Sequence, residues 1–327
     1  MTASLRTRLT EHPIGAFFGL TYLISWTLMT PAMIAGLDSL AAIPFFLGVF
    51  GPFLAAVIVT RATGSSARGW LRSVFRWRQS WRWYAAVVAF PVGLTVVASA
   101  EFALAGESLD FGLVGERAAS FLPLLAYCLL LNGGPEELGW RGFALPRLLE
   151  RFSPVSATVF LGTAWGLWHL PLLLAEDNPD HNLAPVAFAA MMVWTLGGIV
   201  AYAFTYTYVW NRTKSVFLCM LLHAAYNTTL GVVILRPDDE LVGSTYVTLS
   251  LALTGTLWLV ALGLIVATHG RLGLPRAADR RAPTRPTQAP RPTTRQREMI
   301  RASVQRLAQL AAEPEVVAGR DSINPCS

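Results

Sequence analysis

The strongest constraint on this chain is a succession of apolar runs, most of them close to the ~20 residues that a helix needs to cross a bilayer. They cover residues 14–37, 40–60, 83–104, from 119 onward, 155–175, 183–210, 215–235 and 246–268. Of the 327 residues 54% are apolar and only 14% are charged, with a mean hydropathy of +0.46. That composition argues against a soluble domain. The expected fold is all-α, a polytopic membrane protein built as a bundle of about eight transmembrane helices. The first run is too long for the core of an ordinary signal peptide and reads as an uncleaved span.

Loop charge orients the bundle. Residues 61–82 hold Arg61, Arg68, Arg72, Arg76, Arg78 and Arg82 and no acid. The next loop holds Glu107, Asp110 and Glu116; later loops hold Glu176, Asp177 and Asp180, then Asp238, Asp239 and Glu240. With the N-terminus in the cytoplasm, 24 of the 26 basic residues fall inside, Arg117 and Arg236 excepted. This is the positive-inside pattern, and it predicts a multi-pass protein of the cell membrane with both termini cytoplasmic.

Residues 1–269 read as the membrane-embedded domain, with a motif core at about 120–235, and residues 270–327 as a separate tail. The tail carries 11 Arg against 5 acidic residues, which accounts for the whole net charge of +6. A basic pI of 9.6 can signal nucleic acid. Here the excess sits behind a membrane domain, so the expected partner is anionic lipid of the bilayer and no nucleic acid. Pro275, Pro283, Pro286, Pro290 and Pro292 mark the tail as largely disordered. Ile300, Val304, Leu307 and Leu310 suggest a short amphipathic helix at its end. Three cysteines give no disulfide framework; Cys128 and Cys219 read as packing residues. Cys326 is second from the end, so the chain does not itself close on a prenylation box. No oligomeric state follows from the sequence.

Against this background the stretch Pro135-Glu136-Glu137-Leu138-Gly139-Trp140-Arg141-Gly142 stands out. Ionisable groups at membrane depth usually face a protein interior and mark function; the plainer alternative is a helix-end charge cluster among headgroups. On a helix continuing from the preceding apolar run, Glu137 and Arg141 form an i, i+4 pair. Glu136 has Trp140 at that position instead, which leaves its carboxylate for general acid–base work in a dry site. His169 lies in the fifth run. His223 and Asn227, four apart, share a face of the seventh. One Glu and two His form a water-activating set, able either to bind a divalent metal such as zinc or to position water for a glutamate base. At about 1.5 Å per residue, Glu136 and His223 agree on a cytoplasmic-side site, while His169 falls deeper.

These three motifs resemble those of the CAAX-protease and bacteriocin-processing intramembrane proteases, which include the type II CAAX prenyl endopeptidases. The correspondence runs through Glu136-Glu137-x-x-x-Arg141, Trp165-x-x-x-His169, where the family usually has Phe at the first position, and His223-x-x-x-Asn227. The resemblance implies that Glu136 activates water, that His169 holds that water or a metal, and that His223 and Asn227 do the same or stabilise an oxyanion. It makes Glu137 and Arg141 structural support. The expected activity is an intramembrane endopeptidase acting on a membrane-bound or lipidated, CAAX-like substrate. The Arg-rich, Lys-poor composition suggests a bacterial source, where a bacteriocin precursor is equally eligible. Two alternatives compete: a non-catalytic binding or bacteriocin-immunity protein with the same fold, and a proton-relaying transporter. Repeated halves, which a transporter often shows, are not evident.

Overall fold

The computed structural model describes residues 10–35, 42–174, 183–233 and 243–275. The acidic loops at 176–180 and 236–240 and the amphipathic stretch of the tail lie outside the described residues. Contacts divide the chain at Leu274, with Pro275–Ser327 a separate unit.

Among the described residues every regular element is helical. The order is α1 Pro13–Ala35, α2 Ala42–Val49, α3 Gly51–Ala62, α4 Ala67–Val74, α5 Trp81–Leu104 and α6 Gly112–Arg117. There follow α7 Phe121–Leu130, α8 Glu136–Gly139, a π-helical turn Trp140–Ala144, and α9 Leu145–Leu149. The remainder are α10 Pro154–Trp168, α11 Leu170–Leu173, α12 Pro185–Thr213, α13 Val216–Val233 and α14 Gly243–Ala267.

Five of these segments are long and apolar enough to cross a membrane, or six when α2 and α3, bent by 53°, count as one span. The chain is therefore a polytopic all-α membrane protein. Six of the eight predicted runs meet that test. The fifth and seventh runs are α10, of 15 residues, and α13, of 18. At 1.5 Å per residue α10 reaches about 22 Å, short of a ~30 Å hydrocarbon core. α13 is sheltered by α5 and α7, whereas α10 packs one face on α12 and leaves Val159, Phe160 and Leu167 exposed on the other. Val216, Leu218, Cys219, Leu222, Ala224 and Ala225 of α13 are all wholly buried.

One expectation is corrected. The fourth run does not continue as a single helix into the glutamate stretch. α7 ends at Leu130, and Asn132-Gly133-Gly134-Pro135 breaks it. Gly133 has φ +90°, a conformation that glycine adopts without steric cost. Gly134 N–H returns to Cys128 O at 3.0 Å, closing the C-terminus of α7. Pro135, which has no N–H to give, then starts α8. The count of depth along one continuous helix fails for this reason.

Small residues set the helix spacing where lipid offers no hydrophobic drive between helices. A Cβ on Gly162 would lie 3.0 Å from Val200 Cα, and one on Gly166 3.3 Å from Leu196 Cδ2. These two glycines, four apart, bring α10 close to α12 and fix the rotation that turns Trp165 inward. At its other end α10 stops at His169, because Pro171 cannot continue the ladder. Trp26 of α1 donates its indole N–H to Trp168 O at 3.1 Å, satisfying one of the carbonyls that a helix end leaves open.

Candidate active site

The break before α8 gives the two glutamates separate surroundings. Glu137 is fully buried. Its Oε1 accepts from Arg141 Nη1 at 2.8 Å and meets His223 Nδ1 at 2.9 Å. The i, i+4 pair read from the sequence is thus present, although Arg141 itself lies in the π turn. A π turn inserts one residue into the helix and is common at functional sites. Arg141 is also wholly buried, with its guanidinium 4.3 Å from the Trp165 ring centroid and 3.9 Å from that of Tyr206. Its Nε and Nη2 find no hydrogen-bond partner among the described residues. The two aromatic faces cover them instead.

Glu136 keeps 3% of its surface where Glu137 keeps none. Its Oε2 accepts from the Trp165 indole N–H at 2.9 Å. Trp165 is the hub of the site: its ring also packs edge-on against His169, Tyr206 and His223 at centroid distances of 5.7, 5.5 and 5.5 Å.

The two histidines are oriented from behind. His169 Nδ1 lies 2.9 Å from Trp165 O. A carbonyl can only accept, so Nδ1 carries the proton and Nε2 is left for other partners. His223 Nδ1 faces the Glu137 carboxylate, which fixes the same tautomer. His169, His223 and Asn227 together line one cavity of ≈ 160 Å³ with Trp165, Tyr202 and Tyr226. That volume holds several waters at about 30 Å³ each. Glu136 stands next to this cavity behind Trp165 rather than among its lining residues.

The structure therefore brings His169 level with His223 and Asn227, where the depth count had set it deeper. Sequence reasoning missed Gly133, Tyr202, Tyr206 and Tyr226. A Cβ on Gly133 would lie 2.6 Å from His223 Nε2 and 3.0 Å from Asn227 Nδ2, so this glycine forms part of the site's wall. Tyr202 and Tyr206, spaced i, i+4 on α12, carried a helical-face signal.

As a metal centre the donor set is incomplete. Among the described residues no group of three His, Cys, Asp or Glu side chains is placed to hold a metal, whereas catalytic zinc takes three protein ligands. His169 and His223 supply two nitrogens. What the arrangement can do is hold a water between two imidazoles and an amide, beside a carboxylate.

Comparison with known proteins agrees with the motifs. Residues 118–229 match the family described as type II CAAX prenyl endopeptidase Rce1-like. Over 150 residues the chain is 28% identical to a CAAX prenyl protease 2 of Methanococcus maripaludis, covering 46% of this chain and 51% of that protein. The chain thus spans about half the length of this curated relative. Over residues 118–229, about a third of its length, this chain is thus similar to the type II CAAX prenyl endopeptidases.

Proposed function

We propose that the chain is an intramembrane endopeptidase that hydrolyses a peptide bond of a membrane-associated substrate with water activated by Glu136. The observation that supports this most is the division of labour between the adjacent glutamates. Glu137 is sealed and orients His223; Glu136 has no cationic partner among the described residues, lies beside the cavity and accepts one indole hydrogen bond.

In this mechanism a water donates one O–H to Nε2 of His223 or His169 and turns the other toward Glu136. As its oxygen adds to the peptide carbonyl carbon, its proton passes to the Glu136 carboxylate. The Asn227 amide donates to the oxyanion that forms. Glu136 then returns the proton to the departing amine as the C–N bond breaks. Trp165 aims Glu136, and Glu137 with Arg141 holds His223 in the required tautomer. A bound divalent metal would supply Lewis-acid polarisation, with His169 and His223 as its nitrogen ligands; the steps above do not require it.

The relative's name points to a lipidated, CAAX-like peptide as the substrate class, with a membrane-bound bacteriocin precursor the other candidate. The orientation that goes with this reading has both termini in the cytoplasm of a cell whose plasma membrane holds the protein. The test presents purified protein in a bilayer with a peptide ending in a lipidated Cys-a-a-X sequence, followed by mass spectrometry. Cleavage into two fragments is expected. Binding without cleavage across lipid types would favour a non-catalytic binding protein.

A further inference from the structure

The connector between α3 and α5 is a surface with a distinct chemistry. It leaves one candidate span at Ala62 and enters the next at Trp81, so it lies where the bilayer meets water. With the helix ends that flank it, residues 61–82 hold six arginines, all exposed, and no acid. Its exposed aromatics are Phe75, Trp77 and Trp81, at 41, 57 and 72%. Aromatic rings interleaved with cations are the composition that sits at headgroup level.

This surface is built rather than loose. In α4 the half-buried residues Ala67, Trp70, Leu71 and Val74 fall at i, i+3, i+4 and i+7, while Arg68, Gly69, Arg72 and Ser73 are exposed. That is the pattern of an amphipathic helix, the kind that suits an interface plane. Ser66 caps it by accepting from Gly69 N–H at 3.1 Å. Beyond α4 the backbone is pinned to the turn between α12 and α13. Ser215 Oγ donates to Arg76 O at 2.7 Å, and Gln79 donates to Thr213 O at 3.2 Å. Tyr84 holds Trp77 O. Backbone groups are committed inward, and guanidinium groups face out.

The inner face of α4 touches the site's scaffold. Trp70 stacks on Phe53 at 6.5 Å and donates its indole N–H to Gly142 O at 3.1 Å. Gly142 lies in the π turn that carries Arg141. The same helix thus presents arginines outward and an indole to the turn that follows Glu136 and Glu137.

We propose that residues 61–82 form a docking surface for anionic phospholipid headgroups, and that Trp70 transmits its occupancy to the π turn Trp140–Ala144. The charge complementarity and the position between two spans select a lipid phosphate over a soluble anion. The proposal stands whether or not the chain proves to be a protease, because its readouts are lipid retention and backbone protection.

The experiment places the full chain in nanodiscs of phosphatidylcholine, with or without phosphatidylglycerol. Lipid retained on release into detergent is read by native mass spectrometry, and the π turn by hydrogen exchange. Wild type is expected to retain phosphatidylglycerol over phosphatidylcholine, and the anionic lipid slows exchange at 140–144. Each arginine near an anionic surface is worth about 5-fold. The Arg68→Gln/Arg72→Gln/Arg78→Gln variant should therefore lose at least about tenfold of the preference, and both effects should survive with lysine at those positions. Trp70→Phe should keep the lipid preference and lose the protection. Equal retention of the two lipids by wild type overturns the docking surface, as does an unchanged preference in the glutamine variant. Protection that persists in Trp70→Phe overturns the transmission. Retention of an acidic peptide in place of lipid would assign the surface to a protein partner and contradict the proposal.

Discussion

Replacing Glu137 with Gln tests the buried half of the site. Glu137 Oε1 serves both Arg141 and His223, so the substitution leaves the Arg141 cation buried without its counter-charge. Two aromatic faces at 4.3 and 3.9 Å remain, but cation–π contacts are worth about 0.5–2 kcal/mol. Breaking a buried pair costs about 3–5 kcal/mol. For a domain of this size that corresponds to a fall in melting midpoint on the order of 10 °C. Removing both charges is different in kind, because a buried pair exchanged for neutral groups is often close to neutral in stability. The double variant Glu137→Gln/Arg141→Gln should therefore melt above Glu137→Gln alone, while activity stays low because His223 has lost its carboxylate. The assay is a double-mutant cycle of melting midpoints in detergent, with specific activities measured alongside. A Glu137→Gln protein as stable as wild type refutes the reasoning, and so does a double variant no better than the single one.

Three further outcomes follow. Gly133→Ala places a methyl group 2.6 Å from the His223 ring on a backbone with φ +90°, so it should lower both melting midpoint and activity, whereas Gly255→Ala on α14, where a methyl meets nothing within 4 Å, should change neither. Trp165→Phe removes the indole N–H from Glu136 and should cut the catalytic constant about 10- to 150-fold, the equivalent of one hydrogen bond to a charged group at about 1.5–3 kcal/mol, with KM changed less; an unchanged rate would remove Trp165 from the site. Reporter fusions should give a cytoplasmic signal at residues 75 and 290 and an external signal at 112, 178 and 238; an external signal at 290 contradicts the orientation.

What the sequence showed depended on the range of the interaction. The Glu137–Arg141 pair was legible because it is local, and its 2.8 Å contact survives even though the intervening backbone passes from α to π. His223 and Asn227 share a helical face by spacing, and both line the cavity. The break at Gly133-Gly134-Pro135 carried its own signal in turn-forming residues, but the apolar run before it suggested one continuous helix. The contacts from Glu137 to His223 and from Trp165 to Glu136 join residues 86 and 29 positions apart. No periodicity encodes such pairings; they follow from how α8, α10 and α13 pack. The short lengths of α10 and α13 were hidden because an apolar run ends where hydropathy ends, while a helix ends at a proline or a cap.

The most direct test of the account is the rate at which purified Glu136→Gln protein cuts a membrane peptide that wild type cuts, with melting midpoints measured for both. The substitution keeps the side chain's size and an acceptor for the Trp165 N–H, but the amide cannot take a proton from water. Loss of a general base costs about 10²- to 10⁴-fold, so the predicted result is a fall of that size with the melting midpoint within a few degrees of wild type. A Glu136→Gln protein that cuts at the wild-type rate would contradict the central claim, as would one whose activity is lost only in step with its unfolding.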